Sequence, residues 1–205
     1  MEYAIPAFIF GLTGGLKPGP LSVYVIHITL TKGERAGLMA SFAPFASDGP
    51  IILLSLLILS QGKQFDFFIA ALSLAGAAYL LFIAFRIFST NTGPAAKDDD
   101  IPASFITAVK LNLINPAPYL FWGTVGGAYL ARASLKDGAI FIVVMLATLA
   151  ITKFGVAKSI KAMGDKFSTR FYSYLLKTLA LLLVGFAIKL GIDGYEILRD
   201  TLNLP

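Results

Sequence analysis

The chain alternates long runs of apolar residues with short polar connections. A membrane-spanning helix needs about 20 predominantly apolar residues. Six runs of roughly this length or longer cover residues 3–30, 38–60, 67–85, 101–131, 138–157 and 172–192. None of them contains more than two Asp, Glu, Lys or Arg residues. The pattern therefore predicts an all-α integral membrane protein with six transmembrane helices.

The first and fourth runs are interrupted near their middles by residues that do not continue a regular helix. The stretch 14–20 reads GGLKPGP, and the stretch 112–118 reads NLINPAP. A proline removes a backbone donor and clashes with the preceding turn, so we expect both helices to break here. A shift of 98 positions places Pro18 on Pro116 and Pro20 on Pro118. Interrupted helices at corresponding places in two halves of a chain indicate the substrate site of a secondary transporter.

The composition supports the membrane class and excludes several functions. Hydrophobic residues make up 57% of the 205 residues and charged residues only 14%, whereas a typical soluble domain has about 25% charged residues. The absence of cysteine excludes disulfides, thiol redox chemistry and zinc–thiolate sites. A single intramembrane carboxylate, without a metal-binding or phosphate-binding motif, argues against an enzyme, and we expect no cofactor and no metal. The net charge of +5 is explained by membrane orientation rather than by nucleic-acid binding.

Lys and Arg are distributed unequally between the two sets of connections. Eight lie in the first, third and fifth connections, and four lie on the opposite side. The eight are Lys32, Arg35, Arg86, Lys97, Lys158, Lys161, Lys166 and Arg170, and the four are Lys63, Arg132, Lys136 and Arg199. The positive-inside rule places the larger set in the cytoplasm, so that both termini face outward from the cytoplasmic membrane.

The longest polar connection, residues 86–100, divides the apolar runs into two groups of three. We predict a first three-helix repeat at residues 1–90, a cytoplasmic linker at 91–100 and a second three-helix repeat at 101–205. Because each half has three spans, the second half enters the membrane from the opposite side. The two halves are therefore predicted to be inverted repeats.

Several polar side chains are predicted to lie near the middle of the bilayer. At a rise of about 1.5 Å per residue, Lys17, Asp48 and Asn115 lie roughly 16–20 Å from the starts of their spans. Ionisable groups at this depth usually face a cavity or one another. Asp48 is then either a carboxylate that couples transport to a proton or cation, or a fixed partner of Lys17.

The predicted substrate-binding residues lie at the two breaks. They are Lys17, Pro18, Gly19, Pro20, Asn112, Asn115 and Pro116. The two asparagines are explained equally well as partners of backbone groups that the prolines leave free.

Four further residues are interpreted more simply. Lys153 lies near the cytoplasmic end of the fifth run, where its long side chain can reach the interface. Tyr24 and Trp122 are interpreted as packing residues. His27 stands alone near the end of a span and lacks the partners of a metal site.

A set of short motifs runs through the first two thirds of the chain. They are PGP at 18–20, LTKG at 30–33 and GL at 37–38; Asp48; GAAYLL at 76–81 followed by Arg86; and NLINP at 112–116 between Phe105 and Phe121. Together these motifs resemble the LysE/RhtB family of amino-acid exporters. The sequence departs from the usual family pattern at Lys17, at Ser47 and at 117–118.

The resemblance implies a secondary transporter that exports amino acids or related small metabolites, driven by a proton or cation gradient. Its expected partners are a small-molecule substrate, a proton or cation and the lipid bilayer, without nucleic acid, and a homo-oligomer is compatible with this class. Two alternatives remain: an exporter of another small solute or ion, and a non-transporting membrane subunit that acts in assembly or interaction. A buried Lys17–Asp48 pair without a cavity favours the non-transporting subunit, and a midplane cavity favours an exporter.

Overall fold

The computed structural model describes residues 2–59, 63–89, 101–164 and 169–202. Throughout this part of the chain the regular structure is helical, without a β-strand. The α-helices are α1 (Ala4–Leu16), α2 (Pro20–Lys32), α3 (Glu34–Ser41), α4 (Ala43–Leu59), α5 (Lys63–Ser89), α6 (Ile101–Ile114), α7 (Pro116–Phe121), α8 (Gly127–Leu130), α9 (Leu135–Gly164) and α10 (Thr169–Leu202). A π-helical turn, Trp122–Gly126, separates α7 from α8. The predicted all-α class is confirmed.

Four helical stretches in the described ranges are long and apolar enough to cross a membrane. They are Glu34–Leu57, which includes α3 and most of α4, Asp66–Phe88 in α5, Leu135–Met163 in α9 and Tyr174–Leu202 in α10. The broken first and fourth runs contribute the shorter apolar helices Ala4–Leu16 and Ile101–Ile114. These helices confirm the prediction of an integral membrane protein.

Two of the predicted boundaries are wrong. The third run was predicted to end at residue 85, but α5 continues to Ser89. The predicted linker at 91–100 lies outside the described residues. α10 continues to Leu202, well beyond the predicted end of the sixth run at residue 192. The extension is stabilised because Ile197 packs against the apolar core. It is also closely packed on α5, where a Cβ on Gly194 would lie only 3.0 Å from the Cβ of Ser73.

Both predicted helix breaks are present, and they are built alike. Lys17 and Gly19 have extended backbone conformations between the end of α1 and the start of α2 at Pro20. Asn115 is likewise extended before α7 begins at Pro116. Proline suits the first position of a helix because its missing N–H would have no helical acceptor there. The two starts are 96 positions apart, which differs by two residues from the predicted shift of 98.

The main helix contacts join the two halves of the chain. α1 packs along α9, α4 packs against α6, and α5 packs along α10. α1 and α9 approach closely because glycines face the contact. A Cβ on Gly11 would lie 2.5 Å from the carbonyl oxygen of Met145, and a Cβ on Gly15 would lie 2.5 Å from the Cβ of Thr152. Small residues at this four-residue spacing let membrane helices approach each other closely, and here they place the first break against α9.

The buried apolar residues form two clusters, and the breaks lie between them. One cluster contains Val25 of α2, Ala108 of α6 and much of α10. The other contains Ala7 of α1 and Tyr119 of α7, together with residues of α4 and α9. Each broken span therefore passes from one apolar cluster to the other at its break.

Candidate functional site

Asp48 lies at the second break, buried in contacts with the other half of the chain. It is only 4% exposed. One carboxylate oxygen, Oδ1, accepts a hydrogen bond from Asn112 Nδ2 at 2.7 Å. The other, Oδ2, accepts one from the indole Nε1 of Trp122 at 2.8 Å. Both oxygens are therefore held by uncharged donors, one on each side of the break.

The amide of Asn112 also ties α6 to the backbone of α4. Its Nδ2 donates a second hydrogen bond, to Ser47 Oγ at 2.7 Å. Ser47 in turn donates to the carbonyl oxygen of Ala43 at 3.1 Å and is fully buried. Asn112 thus uses both of its N–H groups in fixing α6 against Asp48 and its neighbour on α4.

The local structure after the second break brings Trp122 to Asp48. Asn115 caps α7, because its side-chain oxygen accepts from the backbone N–H of Ala117 at 3.1 Å. The hydroxyl of Tyr119 reaches back across the break to the carbonyl oxygen of Leu113 at 2.9 Å. Trp122 then begins the π-helical turn, a wider helical geometry that is often found at functional sites.

The expected pairing of Lys17 with Asp48 is wrong. Lys17 terminates α1 in an extended conformation, and its side chain is exposed. Among the described residues, no basic side chain lies within ion-pair distance of Asp48. Residue counting predicted a similar depth for Lys17 and Asp48, but the two side chains do not form an ion pair.

Lys153 occupies the first break, which makes its predicted place at the interface wrong. It is only 8% exposed. Its Nζ donates to the carbonyl oxygen of Gly14 at 3.1 Å and to Ser22 Oγ at 2.6 Å. Its position differs from the prediction because α9 continues to Gly164, so Lys153 lies well inside the helix.

The chemistry of the first break explains why an ammonium fits there. In a continuous helix the carbonyl of Gly14 would accept from residue 18, but that residue is a proline without an N–H. Lys153 supplies the missing donor. Ser22 satisfies a further carbonyl of the break by donating to Lys17 O at 3.1 Å. Within the described ranges no carboxylate lies within ion-pair distance of Lys153.

The other predicted site residues line the breaks without contacting Asp48. Pro18 is exposed and Pro116 is buried, and Gly19 is the residue before α2. Pro20 and Asn115 line a cavity of about 10 Å³ between the two breaks, with Tyr79 of α5 on another side. Pockets that bind small molecules measure about 300–1,000 Å³. The space between the breaks is therefore too small for a small-molecule substrate in this conformation.

Sequence reasoning missed the roles of Lys153 and Trp122. Both residues stand out in the sequence, but Lys153 was interpreted as an interfacial lysine and Trp122 as a packing residue. Lys153 was the only charged residue in the fifth apolar run, and Trp122 is the only tryptophan of the chain. Tyr24, predicted to be a packing residue, is buried in an apolar cluster. The Nδ1 atom of His27 is buried without a hydrogen-bond partner in the described structure.

Comparison with known proteins gives a family match over most of the chain. The family model described as LysE type translocator matches residues 12–194. The leucine efflux protein of Salmonella typhimurium (strain LT2) is 26% identical over 93% of this chain and 97% of its own length. An uncharacterized membrane protein of Pseudomonas aeruginosa is 31% identical over 52% of this chain and 54% of its own length. The chemotactic transduction protein ChpE of the same organism is 25% identical over 65% of this chain and 66% of its own length. No solved structure matches the chain.

Proposed function

The chain belongs to the LysE type translocator family, and from this premise we propose that it exports amino acids or related small metabolites across the cytoplasmic membrane. A member of this family is a transporter and not an enzyme. In our proposal the substrate binds between the two helix breaks, and Asp48 couples its movement to a proton or cation gradient. The leucine efflux proteins among its relatives make leucine the first substrate to test.

The helix packing supports two inverted repeats of three spans each. In such repeats the first span corresponds to the fourth, and the second to the fifth. Helix α1 of the first span then corresponds to α6 of the fourth, and α9 of the fifth corresponds to α4 of the second. The contact of α1 with α9 therefore has a counterpart in the contact of α6 with α4, and both contacts are present. The third and sixth spans, α5 and α10, pack on each other, as the same correspondence requires. We propose repeats at 1–90 and 101–205, joined by a linker at 91–100, with both termini outside.

Burial of the Asp48 carboxylate without a cationic partner is the observation that carries the proposal. Removing a carboxylate from water is costly, and an ionisable residue inside a membrane protein usually serves a function. Asn112 and Trp122 donate to the carboxylate but do not neutralise it. A proton, a cation or a substrate ammonium group can supply the missing positive charge in turn. Competition among these cations for one carboxylate would couple export of the substrate to entry of the ion.

The space between the breaks does not provide the midplane cavity that would favour an exporter, so our proposal requires this conformation to be an occluded one. A cavity of about 10 Å³ has room for about one water molecule and not for an amino acid. Transport then requires the apolar cluster on one side of the breaks to open while the other stays packed. The two apolar clusters are accordingly our candidates for the two gates.

Two other functions are less well supported. An exporter of another small solute or ion would use the same site between the breaks. A panel of substrates would separate it from an amino-acid exporter. The relative named chemotactic transduction protein suggests a signalling or interaction subunit. Burial of Asp48 and Lys153 without ion-pair partners among the described residues favours a transporter over such a subunit.

Transport by the purified protein in proteoliposomes tests the proposal. Uptake of a panel of labelled amino acids, with leucine first, is measured with and without an imposed pH or sodium gradient, and proton flux is recorded in parallel. We expect at least one amino acid to be accumulated against its gradient. Failure to move any amino acid would favour the other candidate functions.

The coupling role of Asp48 is tested with a matched pair of variants. Asp48→Asn should abolish gradient-driven accumulation while retaining slower downhill exchange. Asp66→Asn, at an exposed carboxylate on α5, should leave both unchanged. Substrate-dependent proton and sodium fluxes that persist undiminished in Asp48→Asn would refute the coupling role.

A further inference from the structure

We propose that Lys153 binds the carboxylate of the transported amino acid, so that the zwitterionic substrate is held between Lys153 at the first break and Asp48 at the second. This inference rests on the proposed amino-acid export and adds the chemical group by which the substrate is selected. It predicts that a molecule without a free carboxylate is a poor substrate.

The surroundings of Lys153 leave its charge without compensation. Its two acceptors, the carbonyl oxygen of Gly14 and the hydroxyl of Ser22, are both neutral. An ammonium group has three N–H donors, and two of them account for these contacts. Among the described residues the third N–H has no acceptor and the ammonium has no anionic partner, in a place that excludes water almost completely. Burial strengthens the attraction because the effective dielectric constant is low there.

The neighbouring helix start adds to the positive potential at this point. Ser22 is the third residue of α2, so the ammonium of Lys153 lies at the first turn of a 13-residue helix. The first-turn N–H groups of a helix point away from its body, and the helix dipole favours a negative charge there. In the described part of the chain, no atom of a neighbouring element lies within 4 Å of the position that a Cβ on Gly19, the residue before this helix, would occupy. An approaching carboxylate therefore meets a buried cation and a positive helix end, with open space at the adjoining residue.

The arrangement at the second break is equivalent but of opposite charge. Lys153 lies on α9 and reaches the break between α1 and α2, and Asp48 lies on α4 and reaches the break between α6 and α7. Under the proposed correspondence of the repeats, α9 and α4 are corresponding helices. An α-amino acid carries a carboxylate and an ammonium group, which match the signs of the charges at the first and the second break. A simple amine complements only Asp48, and a simple acid complements only Lys153.

A purely structural role for Lys153 is the competing explanation. In that case the ammonium only replaces the N–H that Pro18 lacks, and it does so whether or not substrate is present. Such a role predicts that loss of Lys153 reduces stability and slows transport of every substrate equally. The substrate-binding role predicts instead that discrimination between carboxylate and non-carboxylate ligands is lost.

The experiment compares leucine with leucinamide, which has the same side chain and amino group but no carboxylate. Their KM and Vmax values are measured in proteoliposomes for the wild type, Lys153→Gln and Lys153→Arg. The glutamine variant keeps an N–H donor for the break without the charge. Lys110→Gln, at an exposed lysine on α6, is the matched control. The fluorescence emission of Trp122, the only tryptophan, reports whether the second break, which lies next to it, stays intact in each variant.

We expect the wild type and Lys110→Gln to prefer leucine over leucinamide at least tenfold in Vmax/KM. Lys153→Gln should reduce this preference at least tenfold, mainly through a higher KM for leucine, and Lys153→Arg should restore part of it. An unchanged leucine-to-leucinamide ratio in Lys153→Gln would overturn the inference while leaving amino-acid export intact. A wild type that transports no amino acid would overturn the proposed function and this inference together.

Discussion

At the first break the ammonium of Lys153 is held by two neutral oxygens, whereas at the second break the carboxylate of Asp48 is held by two neutral N–H donors. In both places the following helix starts with a proline. In both places, too, a helix from the other half of the chain packs against the break: α9 at the first and α4 at the second. The backbones are alike, so the difference lies in how each break satisfies its own polar groups. At the first break Pro18 leaves the carbonyl of Gly14 free, and that carbonyl attracts a cation.

The second break satisfies its backbone with its own side chains. The side chain of Asn115 caps α7, and the hydroxyl of Tyr119 bonds to a carbonyl of α6. The neighbouring Asn112 and Trp122 can therefore direct their N–H groups at Asp48. The first break thus binds a cation through a backbone carbonyl and one hydroxyl, and the second binds an anion through side-chain N–H groups. Their stabilities should consequently respond differently to substitution, and the following variants test that difference in order of expected effect.

The largest effect is expected from Asn112→Leu. It removes the donor to Ser47 Oγ and the short hydrogen bond to Asp48 Oδ1, and leaves the buried carboxylate with Trp122 Nε1 and a longer hydrogen bond of 3.4 Å from Ser47 Oγ. Because hydrogen bonds to charged groups contribute strongly, we expect the free energy of unfolding to fall by about 3 kcal/mol. Thermal unfolding of the purified protein in detergent measures the change.

The control for this variant removes the charge as well. The double variant Asp48→Leu with Asn112→Leu replaces both partners by apolar groups, which is often close to neutral. It should recover most of the lost stability without recovering transport. A double variant no more stable than Asn112→Leu alone would show that the amide acts independently of the carboxylate.

A smaller effect, of about 2 kcal/mol, is expected from Gly15→Ala at the first break. The added Cβ would lie 2.5 Å from the Cβ of Thr152 and 3.1 Å from the carbonyl oxygen of Leu149, so α1 must move away from α9. The movement should also withdraw the carbonyl of Gly14 from Lys153 and reduce transport. Unfolding and transport are measured on the same preparations.

Gly155→Ala on α9 is the matched control, because no atom of another described element lies within 4 Å of the added Cβ. It should leave stability unchanged or raise it slightly, as alanine favours a helix interior more than glycine does. Equal losses in the two variants would mean that close packing of α1 on α9 is not what positions the first break.

The comparison also separates what the sequence could predict from what it could not. Both breaks were predictable, because proline and glycine act on the backbone locally. Residue counting predicted a depth for Asp48 in its span, but it could not identify the partners of Asp48. Counting gives depth and not direction around a helix, and for this reason the pairing with Lys17 was wrong. The role of Trp122 depends on a π-helical turn for which the residue pattern has no clear signature.

The role predicted for Lys153 was wrong because the predicted end of the fifth run was not the end of the helix. The apolar run ends at residue 157, but α9 continues to Gly164 as a more polar helix, so a residue near the end of the run is well inside the helix. The close contact that brings α9 to the break depends on Gly11 and Gly15, and their four-residue spacing was present in the sequence. Spacing alone, however, does not identify which helix the glycines face.

Removal of one hydrogen-bonding side-chain group at each break should have a moderate effect. Trp122→Phe keeps an aromatic ring and loses the N–H that reaches Asp48, and we expect a loss of about 1.5 kcal/mol. Ser22→Ala removes a hydroxyl that accepts from Lys153 and donates to Lys17 O, and we expect a loss of about 1 kcal/mol. Unfolding in detergent compares the two. A larger loss for Ser22→Ala would indicate that the cationic site is the more tightly held of the two.

The smallest change in stability, below about 1 kcal/mol, is expected when the prolines themselves are replaced, and here the two breaks should differ in function. Pro18→Ala restores an N–H at the position that can bond to the carbonyl of Gly14, so the new donor competes with Lys153 and α1 can extend. Pro116→Ala restores an N–H as well, but Asn115 continues to cap α7 through its side chain, so the second break should persist.

We therefore expect Pro18→Ala to lower the transport rate at least tenfold and Pro116→Ala to lower it only a fewfold, with both proteins folded. Transport in proteoliposomes and unfolding in detergent are measured together to exclude a stability effect. If Pro116→Ala were the more damaging substitution, the second break would depend on its proline rather than on its cap, and the contrast between a backbone-built and a side-chain-built break would have to be abandoned.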